Sequence, residues 1–208
     1  LRVTKMGRFL VVNTSPVIMP RISRNHQSKR YPITFDLHAR LVAMGWEFVD
    51  DIVWEKPEFS VKNRNGQFGQ HRKPLTYKPN SVTEYLMVYR KPTDRLIDWN
   101  LRRYDKETME ASRILGDYDN TNVWRIQPVS NKKHSAVFPV ELCEKVIKYY
   151  SVKGDLVLDP FAGTGTVALA AHNLDRNFLM VEMNDEYTKV ICDNLKGKNL
   201  GFQTKNID

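Results

Sequence analysis

"LVLDPFAGTGTVALAAHNLDRNFLMVEMNDEY", residues 156–187, runs from an apolar strand into a glycine turn, then a helix of small residues, then a second apolar strand that stops at an acid. "DLVLD" at 155–159, "VALAAHNL" and "NFLMVE" at 177–182 read as strand, helix and strand, a single βαβ unit whose strands run parallel. In such a unit, ligands collect beyond the carboxyl ends of the strands, where glycine lets backbone approach closely and a helix N-terminus offers N–H groups without partners. Asp159 ends the first strand and Glu182 the second, with Gly163 and Gly165 in the turn between them and Thr166 in place to cap the helix.

A glycine turn followed by an acid at the end of the next strand implies a nucleoside ligand, because one carboxylate can accept both hydroxyls of a ribose. The choice lies between a dinucleotide and S-adenosylmethionine. A dinucleotide turn spaces its glycines G-x-G-x-x-G around a pyrophosphate, whereas this turn reads D-P-F-x-G-x-G-T. An acid at the strand end repels a pyrophosphate but balances the ammonium of a methionine moiety, so Asp159 favours the sulfonium cofactor.

Outward from this unit, "PVELCEKVIKYYS" at 139–151 is an amphipathic helix. Near the start of the chain, "GRFLVVN" at 7–13 reads as a buried strand, "RISRNHQSKR" at 21–30 as a polar loop, and "PITFDLHARLVAMG" at 32–45 as a helix between a leading proline and a stopping glycine. "WEFVDDIVWEKP" at 46–57 is a strand ended by Pro57. From 58 to about 130 the texture changes to Gly, Asn, Pro and basic residues among aromatics, with one clear strand, "EYLMVYRK" at 84–91, which marks long functional loops. The expected division is 1–57, a sheet-and-helix part; 58–130, a basic loop-rich region with a core strand near 84–91; and 131–208, a cofactor-binding βαβ part.

At 208 residues the chain is long enough for a single sizeable core, and 41% hydrophobic with 27% charged residues is the balance of an ordinary globular protein. No run of roughly 18 apolar residues suggests a membrane span. Lys+Arg 32 against Asp+Glu 24 gives a formal charge of +8, and residues 56–113 hold 13 Lys/Arg against 7 Asp/Glu, so the surplus is concentrated there. A polyanionic partner and a merely solvated basic surface both account for that charge. Cys143 and Cys192 sit among apolar helical positions and read as small core residues in a reducing compartment, hence a cytoplasmic protein; no metal site is read.

"DPFAGTGT" followed by "VEMNDEY" resembles the cofactor motif of the S-adenosylmethionine-dependent DNA amino-methyltransferases, the enzymes that modify N6 of adenine or N4 of cytosine. "VWRIQPVSNKKHSAVFPVELCEKVIKYYS" is similar to the segment that precedes that motif in the family, and "EYLMVYRKP" and "RYPITFDLHARLVAMGWEFVDDIVWEKP" resemble its sheet elements. The resemblance implies an α/β, Rossmann-like methyltransferase fold with a mostly parallel sheet, helices on both faces, and incompleteness at the N-terminal end. It implies S-adenosylmethionine as cofactor, held by Asp159, Pro160, Phe161, Gly163, Thr164, Gly165, Thr166 and Glu182, with His134, Ser135, Ala136, Phe138 and Pro139 on the lid side. Phe138 can equally be a core aromatic at a helix start, and His134 an ordinary loop residue. Double-stranded DNA is the implied substrate, and Arg64, Arg72, Lys73, Lys78, Arg102 and Arg103 are the candidate DNA contacts. Family members commonly form homodimers and act beside a restriction endonuclease, so both are expected partners.

The family's catalytic tetrapeptide, of the Asp-Pro-Pro-Tyr or Ser-Pro-Pro-Tyr kind, comes before the recognition region, which explains the late glycine turn. Here its one counterpart is "NTSPVIMP" at 13–20, where Val17 and Ile18 replace the proline and the aromatic. Either Asn13, Ser15 and Pro16 form a degenerate catalytic motif, or this segment is the family's next sheet strand and the tetrapeptide lies before Leu1. Neither cysteine has the proline-cysteine context of an enzyme that attacks cytosine C5.

Overall fold

A computed structural model describes residues 1–60, 73–77, 79–116, 118–129 and 138–197. In chain order the elements are β1 (Phe9–Thr14), β2 (Val17–Met19), β3 (Lys29–Tyr31), α1 (Ile33–Ala43), β4 (Glu47–Glu55), a 3-10 turn at Glu58–Ser60, β5 (Thr83–Arg90), α2 (Ile97–Leu101), α3 (Lys106–Ala111), β6 (Val123–Arg125), α4 (Val140–Tyr150), β7 (Leu156–Asp159), α5 (Thr166–Asn173), β8 (Asn177–Met180) and α6 (Asp185–Lys196). The described residues of Leu1–Arg103 and Asp117–Gln127 form one compact unit, and those of Tyr104–Gly116 and Pro128–Asp208 form another.

The first unit is built on a four-stranded sheet in the order β1-β5-β4-β6. β5 has a strand on each side, and consecutive residues of a strand face opposite sides of the sheet, so the burial of Leu86, Met87, Val88 and Tyr89 alike shows both faces covered and accounts for the uninterrupted apolar run "LMVY". The sheet is mixed rather than mostly parallel, because β5 runs antiparallel to both β1 and β4, and only β4 and β6 pair in parallel. A parallel neighbour needs a crossover, usually a helix, and between β4 and β5 the described residues hold only the 3-10 turn. α1 begins after Pro32 and ends before Gly45 (φ 91), as its sequence predicts. It packs through Leu41 on the cluster of Trp46, Met87 and Tyr89. The Trp54 indole N–H donates to the Ile126 carbonyl at 2.8 Å, so a buried polar edge is satisfied where β6 ends. β2 and β3 pair antiparallel, so part of the stretch predicted as a plain loop is an ordered ribbon.

The second unit holds the βαβ motif. β7 and β8 pair in parallel, Leu156↔Asn177 through Asp159↔Met180, as the sequence predicts. The alanines of α5 explain its packing: Ala170 and Ala171 meet Cys143 and Ile147 of α4, while Ala168 meets Ile191 and Leu195 of α6. Small side chains let one helix sit close to two neighbours, and these three alanines are fully buried. Burial pushes the Cys143 thiol up to about 12, with the charges of Asp159 and Glu144 adding to the rise. It is a core residue, not a nucleophile. At the base of the sheet, Arg176 is buried and donates from Nε to Ser151 Oγ at 3.1 Å and from a terminal nitrogen to the Ser151 carbonyl at 2.9 Å, joining β8 to the end of α4.

Candidate functional site

At the carboxyl edge of β7 and β8 the ladder continues past the strands. Val181 N–H donates to the Asp159 carbonyl at 2.9 Å, and Ala162 N–H to the Val181 carbonyl at 3.0 Å. This fixes the start of the turn against the segment that carries Glu182. Gly163 (φ 54) and Gly165 (φ 83) then take left-handed conformations that a residue with a Cβ adopts only with strain. Gly165 is itself the cap residue of α5 and Thr166 is the first helical residue, with no side-chain cap bond. The expected Thr166 cap is therefore corrected: the positive φ puts glycine at the boundary and moves threonine one step inside it.

Glu182 is the centre of the arrangement. Its Oε2 accepts the Gly163 N–H at 2.7 Å and its Oε1 accepts the Asn184 N–H at 2.9 Å. Asn184 also caps α6, its side-chain oxygen accepting from Glu186 N–H at 2.8 Å and Tyr187 N–H at 3.4 Å. Asp159 accepts the Phe161 N–H at 3.0 Å. Burial pushes the Asp159 carboxyl up; the Phe161 N–H opposes that, and the nearby Glu182 charge adds to it. Asn194 supports the far side of the turn, donating to the Thr164 carbonyl at 3.3 Å.

The site thus places two carboxylates around the N-terminus of α5, where a phosphate would otherwise be favoured. The Gly163 amide that could serve a phosphate is already taken by Glu182. A carboxylate offers about four lone-pair sites, so Glu182 keeps capacity for hydroxyl donors beside its two amide bonds. Phe161 and Met183, 87% and 98% exposed, put apolar surface on the rim. Asn184 and Met183 escaped the sequence reading. An Asn ahead of the acidic pair Asp185-Glu186 is a cap signal that could have found the first, whereas nothing in the sequence singles out Met183.

The other predicted residues fall as follows. Pro160 lies exposed in the turn, and Phe138 packs against the Cys143 and Ile147 cluster, beside the buried Pro139 that opens α4. His134, Ser135, Ala136, Arg64, Arg72 and Lys78 lie outside the described residues. In the first unit, Asn13 donates to the Tyr85 carbonyl at 3.3 Å, and Ser15-Pro16 link β1 to β2. Lys73 is exposed, and the Arg102 guanidinium lies over the Trp99 ring at 4.0 Å.

Gly165→Ala is expected to destabilise the fold by about 1–2 kcal/mol in urea unfolding, the cost of a left-handed residue with a Cβ. A Cβ there would also stand 3.1 Å from Ile191 Cγ1. An unchanged midpoint would show that the turn relaxes freely.

Comparison with known proteins agrees with this geometry. The DNA methylase family of N6/N4 methyltransferases matches residues 1–193. The type II methyltransferase M.XycI of Xanthomonas campestris pv. cyanopsidis is 32% identical over 160 residues, which cover 74% of this chain and 46% of that protein. M.Cfr9I of Citrobacter freundii, also a type II methyltransferase, has the same identity and coverage. The chain therefore spans about half the length of these curated relatives. Among solved structures, TTHA0409 of Thermus thermophilus, complexed with S-adenosyl-L-methionine, aligns with a TM-score of 0.75 at 25% identity, over 97% of this chain and 74% of its own. That likeness bears out the α/β methyltransferase fold class, and with the match over residues 1–193 the chain belongs to the DNA methylase family of N6/N4 methyltransferases.

Proposed function

We propose that the glycine turn binds S-adenosylmethionine and that the chain serves methyl transfer to an exocyclic amine of DNA, N6 of adenine or N4 of cytosine. The observation that carries this is the pair of carboxylates at the turn, with Glu182 accepting the Gly163 amide. Their chemistry fits the cofactor: Glu182 would accept ribose hydroxyls, Asp159 would balance a cationic ammonium, and Phe161 with Met183 would offer apolar surface to a flat ring. The bound cofactor would supply an electrophilic methyl on a sulfonium.

An exocyclic amine is a poor nucleophile because its lone pair is delocalised into the ring. Its hydrogens must be accepted by a polar side chain and a backbone carbonyl while an aromatic holds the flipped base. Asn13, Ser15 and Pro16 are the candidates within these residues. The basic candidates Lys73, Arg102 and Arg103, with Arg64, Arg72 and Lys78, would hold the phosphates.

A second reading is a cofactor- and DNA-binding part that needs another polypeptide for the catalytic tetrapeptide. One observation favours it: Ser15-Pro16 is followed by Val17 and Ile18, where the tetrapeptide has a proline and an aromatic. Calorimetry with S-adenosylmethionine, followed by labelled methyl transfer to mixed-sequence duplex DNA, tests both. Cofactor binding with methyl transfer supports the first reading, and cofactor binding without transfer supports the second. No heat with this cofactor, alongside tight capture of a nicotinamide or flavin nucleotide, would end both.

A further inference from the structure

The ribbon of β2 and β3 stands at a consequential place in the first unit. β1 and β4 both run antiparallel to β5, so they point the same way, and β6 is parallel to β4. The carboxyl ends of β1, β4 and β6 therefore share one edge of the sheet. The ribbon leaves that edge directly from Thr14, and the basic stretch beginning at Lys56 leaves it from Glu55. The two are in contact: Arg30 donates to the Pro79 carbonyl at 3.4 Å.

Residues 17–31 carry Arg21, Arg24, Lys29, Arg30 and His26 and no acid. Every residue from Pro20 to Tyr31 is exposed. Arg21, Arg24 and Lys29 make no ion pair among the described residues, whereas three nearby acids are paired with other cations: Glu55 with Arg125, Glu84 with Lys56, and Asp36 with Arg40. None of these three acids neutralises the positive charge of the ribbon. Its composition is also unlike a loop kept for solubility alone. The cross-strand pairs Val17↔Tyr31 and Met19↔Lys29 put two aliphatic side chains, a phenol and an ammonium on one face, and Ile22 is 90% exposed.

We propose that the ribbon, residues 17–31, is a duplex-DNA contact element, with Arg21, Arg24 and Lys29 on backbone phosphates and the Val17–Tyr31 face toward a groove. A two-stranded ribbon fits the major groove of B-DNA, and cations on its loop reach the flanking phosphates. The proposal rests on the reading of this chain as DNA-binding, and it enlarges the interface beyond the basic region at 58–130.

The test is equilibrium binding of a labelled mixed-sequence duplex across a salt series, for the wild type and for the triple variant Arg21→Ala, Arg24→Ala, Lys29→Ala. All three side chains are exposed, and an unchanged thermal melt with unchanged calorimetry with S-adenosylmethionine reports that both units are intact. The expected result is at least about a tenfold loss of duplex affinity, with the slope of log affinity against log salt reduced by about 2.7, or about 0.9 for each phosphate no longer neutralised. Lys189→Ala with Lys196→Ala, removing charge from α6, is expected to leave both unchanged. A triple variant that keeps the wild-type affinity and slope overturns the ribbon while leaving the DNA reading standing. So does an equal loss in the α6 variant, which would reduce the effect to net charge. A wild type that binds the cofactor but ignores duplex DNA, or prefers single-stranded RNA, overturns the ribbon and the DNA reading together.

Discussion

Glu182→Ala is expected to lower affinity for S-adenosylmethionine by at least about a hundredfold in calorimetry. Hydrogen bonds to a charged group contribute roughly 1.5–3 kcal/mol each, and a ribose offers two hydroxyls to this one carboxylate. The carboxylate also organises its own surroundings: it accepts Gly163 N–H at 2.7 Å and Asn184 N–H at 2.9 Å, so its loss releases the turn and the start of α6 together. The turn lies near solvent and water can replace those acceptors, so the loss of stability should be smaller, about 1 kcal/mol. Glu182→Gln separates the two roles. It keeps the length of the side chain, but its amide nitrogen cannot accept from a backbone N–H, so only one of the two anchoring bonds survives. Its affinity should fall between wild type and alanine. Equal affinity in all three proteins would show that the acid serves only the turn, and the assignment of the nucleoside would fail.

How much could be read beforehand follows from where the physics is local. The βαβ unit was legible because strand apolarity, the glycine turn and the alanine helix all lie within 155–182, and the structure pairs β7 with β8 in parallel as expected. α1 was legible for the same reason, with its stops at Pro32 and Gly45. What escaped depends on distant partners. "VWR" is too short to declare itself a strand and forms β6 only by pairing with β4, a strand far away in sequence, Val53↔Val123. The direction of β5 is likewise set by its two neighbours and by the lack of a described helical crossover, not by "EYLMVYR" itself. The β2 and β3 ribbon is marked only by short runs, "VIM" and "KRY", and its basic residues suggest a loop. At the site, both carboxylates and both glycines were readable, whereas the bond from Gly163 to Glu182 and the support from Asn184 and Asn194 required the folded chain.

Asp159→Asn is expected to raise the melting temperature of the cofactor-free protein near neutral pH while reducing cofactor affinity on the order of tenfold to a hundredfold, the span of one charge-assisted contact. The two effects have one cause. Burial, reinforced by the Glu182 charge, raises the Asp159 carboxyl above its ordinary range despite the Phe161 N–H. The folded chain then holds a proton in a window where the unfolded chain has lost it. Stability is greatest below the ordinary carboxylate pKa, falls as pH rises through the raised value, and stays lower above it. Asparagine has no proton to lose there, and its carbonyl oxygen can still accept from Phe161 N–H at the 3.0 Å position, so this decline should disappear from the pH profile of stability. Cofactor binding has the opposite dependence: the ammonium favours the ionised carboxylate, so wild-type affinity should rise with pH through the same window, whereas the asparagine variant lacks that rise. A partly buried carboxylate kept at a cost to the fold is expected of a binding site rather than of a packing position. Calorimetry and thermal melts across the acid range decide the matter. A variant that melts lower than wild type at neutral pH and binds the cofactor equally well would make Asp159 a structural residue.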